Sequence, residues 1–402
     1  MTHQTTYTAS CTASQRPAHR EAGFSLVELM VAMGLGLLLT TAMAYVYLSS
    51  KTAFSRQQQL SSIQQSVRIA FEYLGSDTRM VGHMGCFTGK ATTAPDFVID
   101  STLLATSVGT NYAFGIDGYE YKNTAANAYT IASNAPNDEI AASNWETNTA
   151  SNGIKPLVVA DIAGTGNGLT PGSDVLVIRT VAGRPVRLAA DTPISNAASL
   201  SLENMAGGTC SDGTAKVSGF CANSHGLVAS CSRARVFKVD SIAAQTLTMH
   251  TALGTNEQYT MDAAEVFPMQ TIVYYVKKAS SGNAPALYRR TFDGDNANGL
   301  EQELIEGVEG LHVRYGIDST TPEPDGVVDS YVTAQNVTDW SKVVAVRMGL
   351  LIRSTLPVEA DVTLPLTGLV NGVTVTYPTT GTKYDRRVFT TTVAVRNKIS
   401  YF

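Results

Sequence analysis

The most apolar stretch of the chain opens at Phe24 and runs to Ser50 as FSLVELMVAMGLGLLLTTAMAYVYLSS, with Glu28 its one charged residue. Roughly 20 apolar residues suffice to cross a bilayer as a helix, so this pattern predicts a membrane-spanning helix over residues 24–50. Beyond Lys51 the composition turns polar without a helix breaker, and Leu60, Ile63, Val67, Ala70, Phe71 and Leu74 recur at steps of three or four. That spacing draws one apolar helix face, read here as the contact with the chain's own sheet. The same helix is expected to continue through 51–85 and to end between Leu74 and Gly85, where Gly75, Gly82 and Gly85 supply termination points. Counted from Phe24 it spans on the order of 50 residues, or about 75 Å at the rise of an α-helix.

From residue 86 to 402 the pattern changes period. Strands are predicted over 174–178, 227–239, 271–277, 311–317, 343–353 and 387–396, with turn-forming Gly, Asn, Asp and Pro between many of them. Within 343–353, Val344, Val346, Met348, Leu350 and Ile352 fall on one face while Arg347 and Arg353 fall on the other. This alternation predicts a half-buried strand whose apolar face packs on the long helix. Residues 91–170, rich in Ala, Thr, Asn and Gly, predict irregular loops and short strands decorating the sheet. Gly164 to Gly168 reads as a loop, because it does not follow a strand and open a helix as a dinucleotide fingerprint must. The fold class is therefore α+β, a long N-terminal helix packed on an antiparallel β-rich globular domain.

Charged residues make up 16% of the chain and the formal net charge is -5. Both figures suit an extracytoplasmic β-rich surface and speak against nucleic acid as the main ligand. The five cysteines, Cys11, Cys86, Cys210, Cys221 and Cys231, contain no C-x-x-C pair. Cleavage after Gly23 would remove Cys11 and leave an even set, Cys86, Cys210, Cys221 and Cys231, as disulfide candidates with three possible connectivities.

Residues 1–22 are polar, with Arg16, His19 and Arg20 near the apolar run, as a cytoplasmic flank requires. The junction Gly23-Phe24-Ser25-Leu26-Val27-Glu28 precedes the apolar run instead of following it, which an ordinary cleaved signal peptide does not do. This junction resembles the class III signal of type IV prepilins and pseudopilins. The succession LIEGVEGLHVRYGID, DGVVDSYV, DWSKVVAVRMGLLIRS and RRVFTTTVAVRN is similar to the C-terminal half of PilW-type minor pilins. The resemblance implies a leader over 1–23, cleavage by a prepilin peptidase between Gly23 and Phe24, and N-methylation of Phe24. It gives Glu28 an assembly role, meeting the α-amino group of a neighbouring subunit. It further implies a pilin-like architecture, with segments 24–50 and 51–85 as one helix and 86–402 as the head. The expected partners are other minor pilins, the major pilin and a tip adhesin. The expected location is the inner membrane with a periplasmic head, and then the surface pilus.

Candidate chemistry is sparse. None of the metalloprotease, Walker A, nucleophile-elbow or kinase motifs occurs, and His3, His19, His83, His225, His250 and His312 show no ligand spacing. His312, between Leu311 and Val313, is expected to face solvent. Two acidic loops offer hard oxygen ligands for calcium: Asp293-Gly294-Asp295-Asn296 with Asn298, and Asp318 through Asp329, where Glu323, Asp325 and Asp329 are the candidates. Pro322 and Pro324 break the EF-hand register of the second, and a solvated hairpin turn is its competing reading. No other cofactor is expected. Three functions follow in order: a minor pilin that helps initiate or cap a type IV pilus, serving twitching motility, adhesion or DNA uptake; a type II secretion minor pseudopilin; and an enzyme or sugar-binding module tethered by the first helix.

Overall fold

The computed structural model describes residues 23, 25–87, 97–104, 108–121, 128–130, 145–147, 162, 169–282, 284–296, 298–321, 325–357, 367–370, 373–376 and 384–395. Helix α1 runs over Leu26–Arg79. The chain divides into two units, Met1–Phe54 and Ser55–Phe402, with the boundary inside α1. In the first unit every described residue but the half-buried Thr52 is exposed, whereas between Ser55 and Arg79 one face is buried through Gln59, Ile63, Val67, Ala70, Leu74, Gly75 and Thr78. Gly75 does not stop the helix; the chain leaves it past Arg79, through Gly82 and Gly85 in left-handed conformation.

Eleven strands carry the argument, all in the second unit: β1 Ile116–Tyr121, β2 Val175–Val181, β3 His225–Ala229, β4 Ala234–Ala243, β5 Glu265–Lys278, β6 Pro285–Phe292, β7 Leu300–Glu306, β8 Val308–Ile317, β9 Ser330–Val332, β10 Val343–Arg353 and β11 Arg386–Ala394. The long β5 is the spine of a large sheet. Its residues 265–269 pair with β3, 269–274 with β2 and 271–278 with β6, all antiparallel. A four-stranded antiparallel sheet follows in the order β9-β8-β10-β11. The chain passes from one sheet to the other at Gly307, whose φ of +95° suits glycine and where a Cβ would come within 2.7 Å of the Arg353 carbonyl oxygen.

The principal core lies between the buried face of α1 and both sheets. Ile63, Val67, Ala70 and Leu74 share one apolar cluster with Leu176 and Ile178 of β2, Ile272 and Tyr274 of β5, and Val346, Met348, Leu350 and Ile352 of β10. The opposite side of the large sheet is covered too, since Val175, Val177, Val273 and Tyr275 lie in a second cluster with Tyr119 and Tyr288. Uninterrupted apolar runs such as VLVI and IVYYV are what burial on both faces demands. The antiparallel order, and β10 packed in the cluster of α1, are as the sequence predicts.

Two expectations are corrected. The strand expected over 227–239 is a hairpin, β3 and β4, with Cys231 in its turn. Strand β10 is buried on both faces apart from Arg347 and Arg353, not half-exposed, because Ala345 and Leu351 on the Arg347 face are also covered. Residues 164–168 lie outside the described residues.

Between β2 and β5 the chain forms a lobe with its own core, including Leu188, Leu200, Phe220, Phe237, Leu247 and Tyr259. Two disulfides are present among the described residues. Cys210–Cys221 closes a Gly-rich hairpin of this lobe, and Cys86–Cys231 ties the segment beyond α1 to the β3–β4 turn, 145 residues away in sequence.

Candidate functional site

Gly23 is exposed and Ser25 precedes the first helical residue, its carbonyl oxygen accepting the Leu29 N–H at 3.1 Å. Phe24 lies outside the described residues. Ser25 and Glu28 stand at the spacing of a capping box, and a carboxylate in the first turn is favoured by the positive end of the helix dipole. Among the described residues, α1 is the helix long and apolar enough to cross a membrane. Two threonine hydroxyls within its apolar half are satisfied by the helix's own carbonyls: Thr40 donates to Gly36 O and Thr41 to Leu37 O. Gly34, Leu37, Leu38, Thr41, Ala42 and Tyr45 line a shallow apolar groove along this half, and an added Cβ at Gly34 would meet nothing.

The second half of α1 is held by polar groups as well as by burial. Asp77 sits in the last turn, where the helix dipole disfavours a carboxylate. It is compensated: Arg289 Nε donates to it at 2.9 Å and the Tyr274 hydroxyl at 2.6 Å. The sequence offered a signal here, since an acidic residue at a helix C-terminus implies a cationic partner, but not which one.

Asp174 is a buried carboxyl of the head, 4% exposed, displaced far from its ordinary range. It lies where the large sheet meets β8: its N–H donates to Leu311 O at 2.7 Å, and its carboxylate accepts the Val313 N–H at 2.8 Å and the Tyr121 N–H at 3.3 Å. Burial, and then the nearby Glu120, push its pKa up to about 8 against the pull of those N–H groups and of Arg314. At Gly118 an added Cβ would collide with the Tyr315 hydroxyl, so this glycine permits the close approach of β1 and β8. His312 corrects its expectation. It is 2% exposed, facing Asp174 at 4.0 Å, because the large sheet covers the outer face of β8; burial, with Arg314, depresses its pKa to about 3.

The acidic loops use their carboxylates internally. Asp325 accepts the Val327 N–H at 2.8 Å and Asp329 accepts Ser319 N–H and Oγ–H, each at 2.7 Å. Glu323 lies outside the described residues. In the other loop Asp295 accepts from Ser211 N and Oγ. Asp295 also stands beside Cys210 and Cys221, but those sulfurs are joined as a disulfide and offer no thiolate to a metal. A cavity of about 370 Å³ adjoins this loop, lined by Met205, Lys216, His225, Gln270, Asp293 and Asp295. His225 Nδ1 lies 3.0 Å from the Tyr112 hydroxyl, and burial, then Lys238, lower its pKa to about 4. Neither the Asp77 clasp nor the Asp174 junction was identified from sequence, because each is made by residues far apart in the chain.

Comparison with known families fits this arrangement. Residues 273–397 match the family described as type IV pilus-assembly protein W, PilW, and residues 18–44 match the prokaryotic N-terminal methylation motif. The first match runs from the middle of β5 through β11, and the second spans the Gly23–Phe24 junction and the start of α1. No curated protein matches the chain. The two matches support a type IV pilus-related minor pilin; the PilW family is a family of structural pilus components and not of enzymes. They imply contact with other pilins and with a prepilin peptidase, and with the apolar helix they point to inner-membrane anchoring.

Proposed function

We propose that this chain is a minor pilin that helps initiate or cap a type IV pilus, made as a precursor with a leader over 1–23 and cut between Gly23 and Phe24. The observation that carries the reading is the junction GFSLVE at the start of a 54-residue helix, Leu26–Arg79, whose first half is apolar all round and whose second half belongs to the head. Cleavage there frees an amino group at Phe24, which the peptidase methylates, and keeps the helix on the mature chain. Glu28 then faces the amino terminus of a neighbouring subunit, where two opposite charges offset each other's cost in an apolar filament core. Before assembly the head over 86–402 stands in the periplasm; afterwards it is carried on the surface among other minor pilins, the major pilin and a tip adhesin. The match over β5 to β11 favours a pilus over a type II secretion pseudopilin.

The test is the N-terminal mass of the protein from sheared filaments and from membranes. Methylated Phe24 in both fractions, lost in a Gly23→Ala chain, is the expected result; an intact leader, or a cut beyond the apolar run, overturns the reading. In parallel, Glu28→Val is expected to be inserted and processed but missing from filaments, whereas a tethered enzyme would be indifferent to it.

A further inference from the structure

The lobe between β2 and β5 lies outside both matched spans, 18–44 and 273–397, and it supplies most of the wall of the cavity of about 370 Å³. Every residue lining that cavity is described. Its walls are tied to one another. The hairpin of Ala206–Thr209 and Ala215–Val217 is closed by the Cys210–Cys221 disulfide, and at its tip Ser211 donates to the Asp295 carboxylate through N–H at 3.0 Å and Oγ–H at 2.9 Å. The loop that carries Asp293 and Asp295 is fixed in turn to the start of β3, where the His225 N–H donates to Asp293 O at 3.0 Å. A cavity braced in this way is preformed, and its volume lies at the small end of the range of small-molecule sites.

Several polar groups at the cavity are left unanswered by the fold. A buried phenol must donate its proton, and His225 Nδ1, 3.0 Å from the Tyr112 hydroxyl, accepts it; the neutral imidazole then carries its own proton on Nε2. That Nε2–H belongs to a side chain only 3% exposed and has no hydrogen-bond partner among the described residues. Among the same residues neither the Arg184 guanidinium nor the Gln270 amide has a partner. Asp293 Oδ2 stands 3.9 Å from Lys216 Nζ, too far for a hydrogen bond, and is open to a further donor. Arg184 and Lys216 balance Asp293 and Asp295 in charge, so the lining suits neither a dianion nor a dication but a ligand that carries one charge of each sign. Val186, Met205 and Met269 give the same cavity an apolar side. We propose that it binds a free α-amino acid with an aliphatic side chain. The carboxylate sits on Arg184 and the His225 Nε2–H, the ammonium on Asp293, and the side chain against Val186 and the two methionines.

The experiment is calorimetric titration of the full chain in detergent with L-leucine, L-isoleucine, L-valine and L-methionine, each beside its N-acetyl and its amide form. Saturable binding of at least one free amino acid, weakened about tenfold or more when either end is blocked, is the expected result. Arg184→Gln should weaken that binding by about tenfold or more and leave the thermal midpoint of the unliganded chain in place, because the guanidinium makes no bond within the described fold. Asp293→Asn should weaken the free amino acid but not its N-acetyl form, since only the former brings an ammonium group. The inference is overturned by no saturable binding from any of the four, by blocked forms that bind as well as the free ones, by native affinity in Arg184→Gln, or by inorganic phosphate displacing the amino acid. None of these readouts depends on cleavage at Gly23, so their failure leaves the proposed function standing.

Discussion

The two halves of α1 share one backbone geometry and face different solvents. From Leu26 to Phe54 apolar side chains point in every direction, and residues such as Leu37 and Leu38 are 69% and 68% exposed. From Ser55 to Arg79 the apolar residues keep mainly to one side, and Ala70 and Leu74 are fully buried in the head's core. A helix that is apolar all round is complete only in hydrocarbon or among other apolar helices, while an amphipathic one can be completed by its own chain. The head's stability should therefore answer to the second half and ignore the first.

The largest effect on that contrast is expected from the Cys86–Cys231 disulfide, which pins the chain just beyond the buried half. Its 145-residue separation makes it worth about 5 kcal/mol on a chain-entropy basis, against about 3 kcal/mol for the 11-residue Cys210–Cys221 loop. Thermal melts of Cys86→Ser/Cys231→Ser and Cys210→Ser/Cys221→Ser chains should rank in that order. Next, Leu74→Ala should cost about 2–5 kcal/mol by opening a cavity between α1 and the sheets, measured by denaturant unfolding. Asp77→Asn should cost about 1–3 kcal/mol, because it removes the charge that Arg289 and Tyr274 face; Asp77 is partly exposed, which favours the lower end.

A smaller effect is expected from pH. Asp174 carries a folded-state pKa near 8, above its ordinary 3.8, so its contribution is intact in acid and is lost as pH rises toward 8. His225 and His312, depressed from 6.5 to about 4 and about 3, act in the opposite sense and favour the fold as pH rises to about 6.5. Between pH 6.5 and 8 Asp174 acts without them, and the melting temperature should fall over that window in the native chain but not in Asp174→Asn. The smallest effect is Leu37→Ala, which should leave the head's unfolding within about 0.5 kcal/mol of native, as an exposed position should. A larger loss there would end the comparison.

Legibility followed range. The helix could be read because its information repeats every three or four residues, and β10 because VVAVRMGLLIR is long, apolar and free of Gly-Pro punctuation apart from Gly349. The hairpin of β3 and β4 was read as one strand because its turn, Ser230 to Arg233, contains neither glycine nor proline. His312 was misplaced because alternation along β8 cannot tell solvent from a second packed sheet. At the junction, GFSLVE was legible as a motif.

By itself the sequence determined the long helix, its division into an all-apolar and a one-faced half, the α+β class and the position of the GFSLVE junction. Each depends on neighbours within a few turns or rungs, where spacing alone carries the physics. Only the tertiary structure decided which cysteines pair, that Arg289 and Tyr274 answer Asp77, and that Asp174 is buried where β8 meets the large sheet. Those depend on residues brought together across as many as 212 positions, as for Asp77 and Arg289, and no local pattern encodes a distance between segments that have yet to fold.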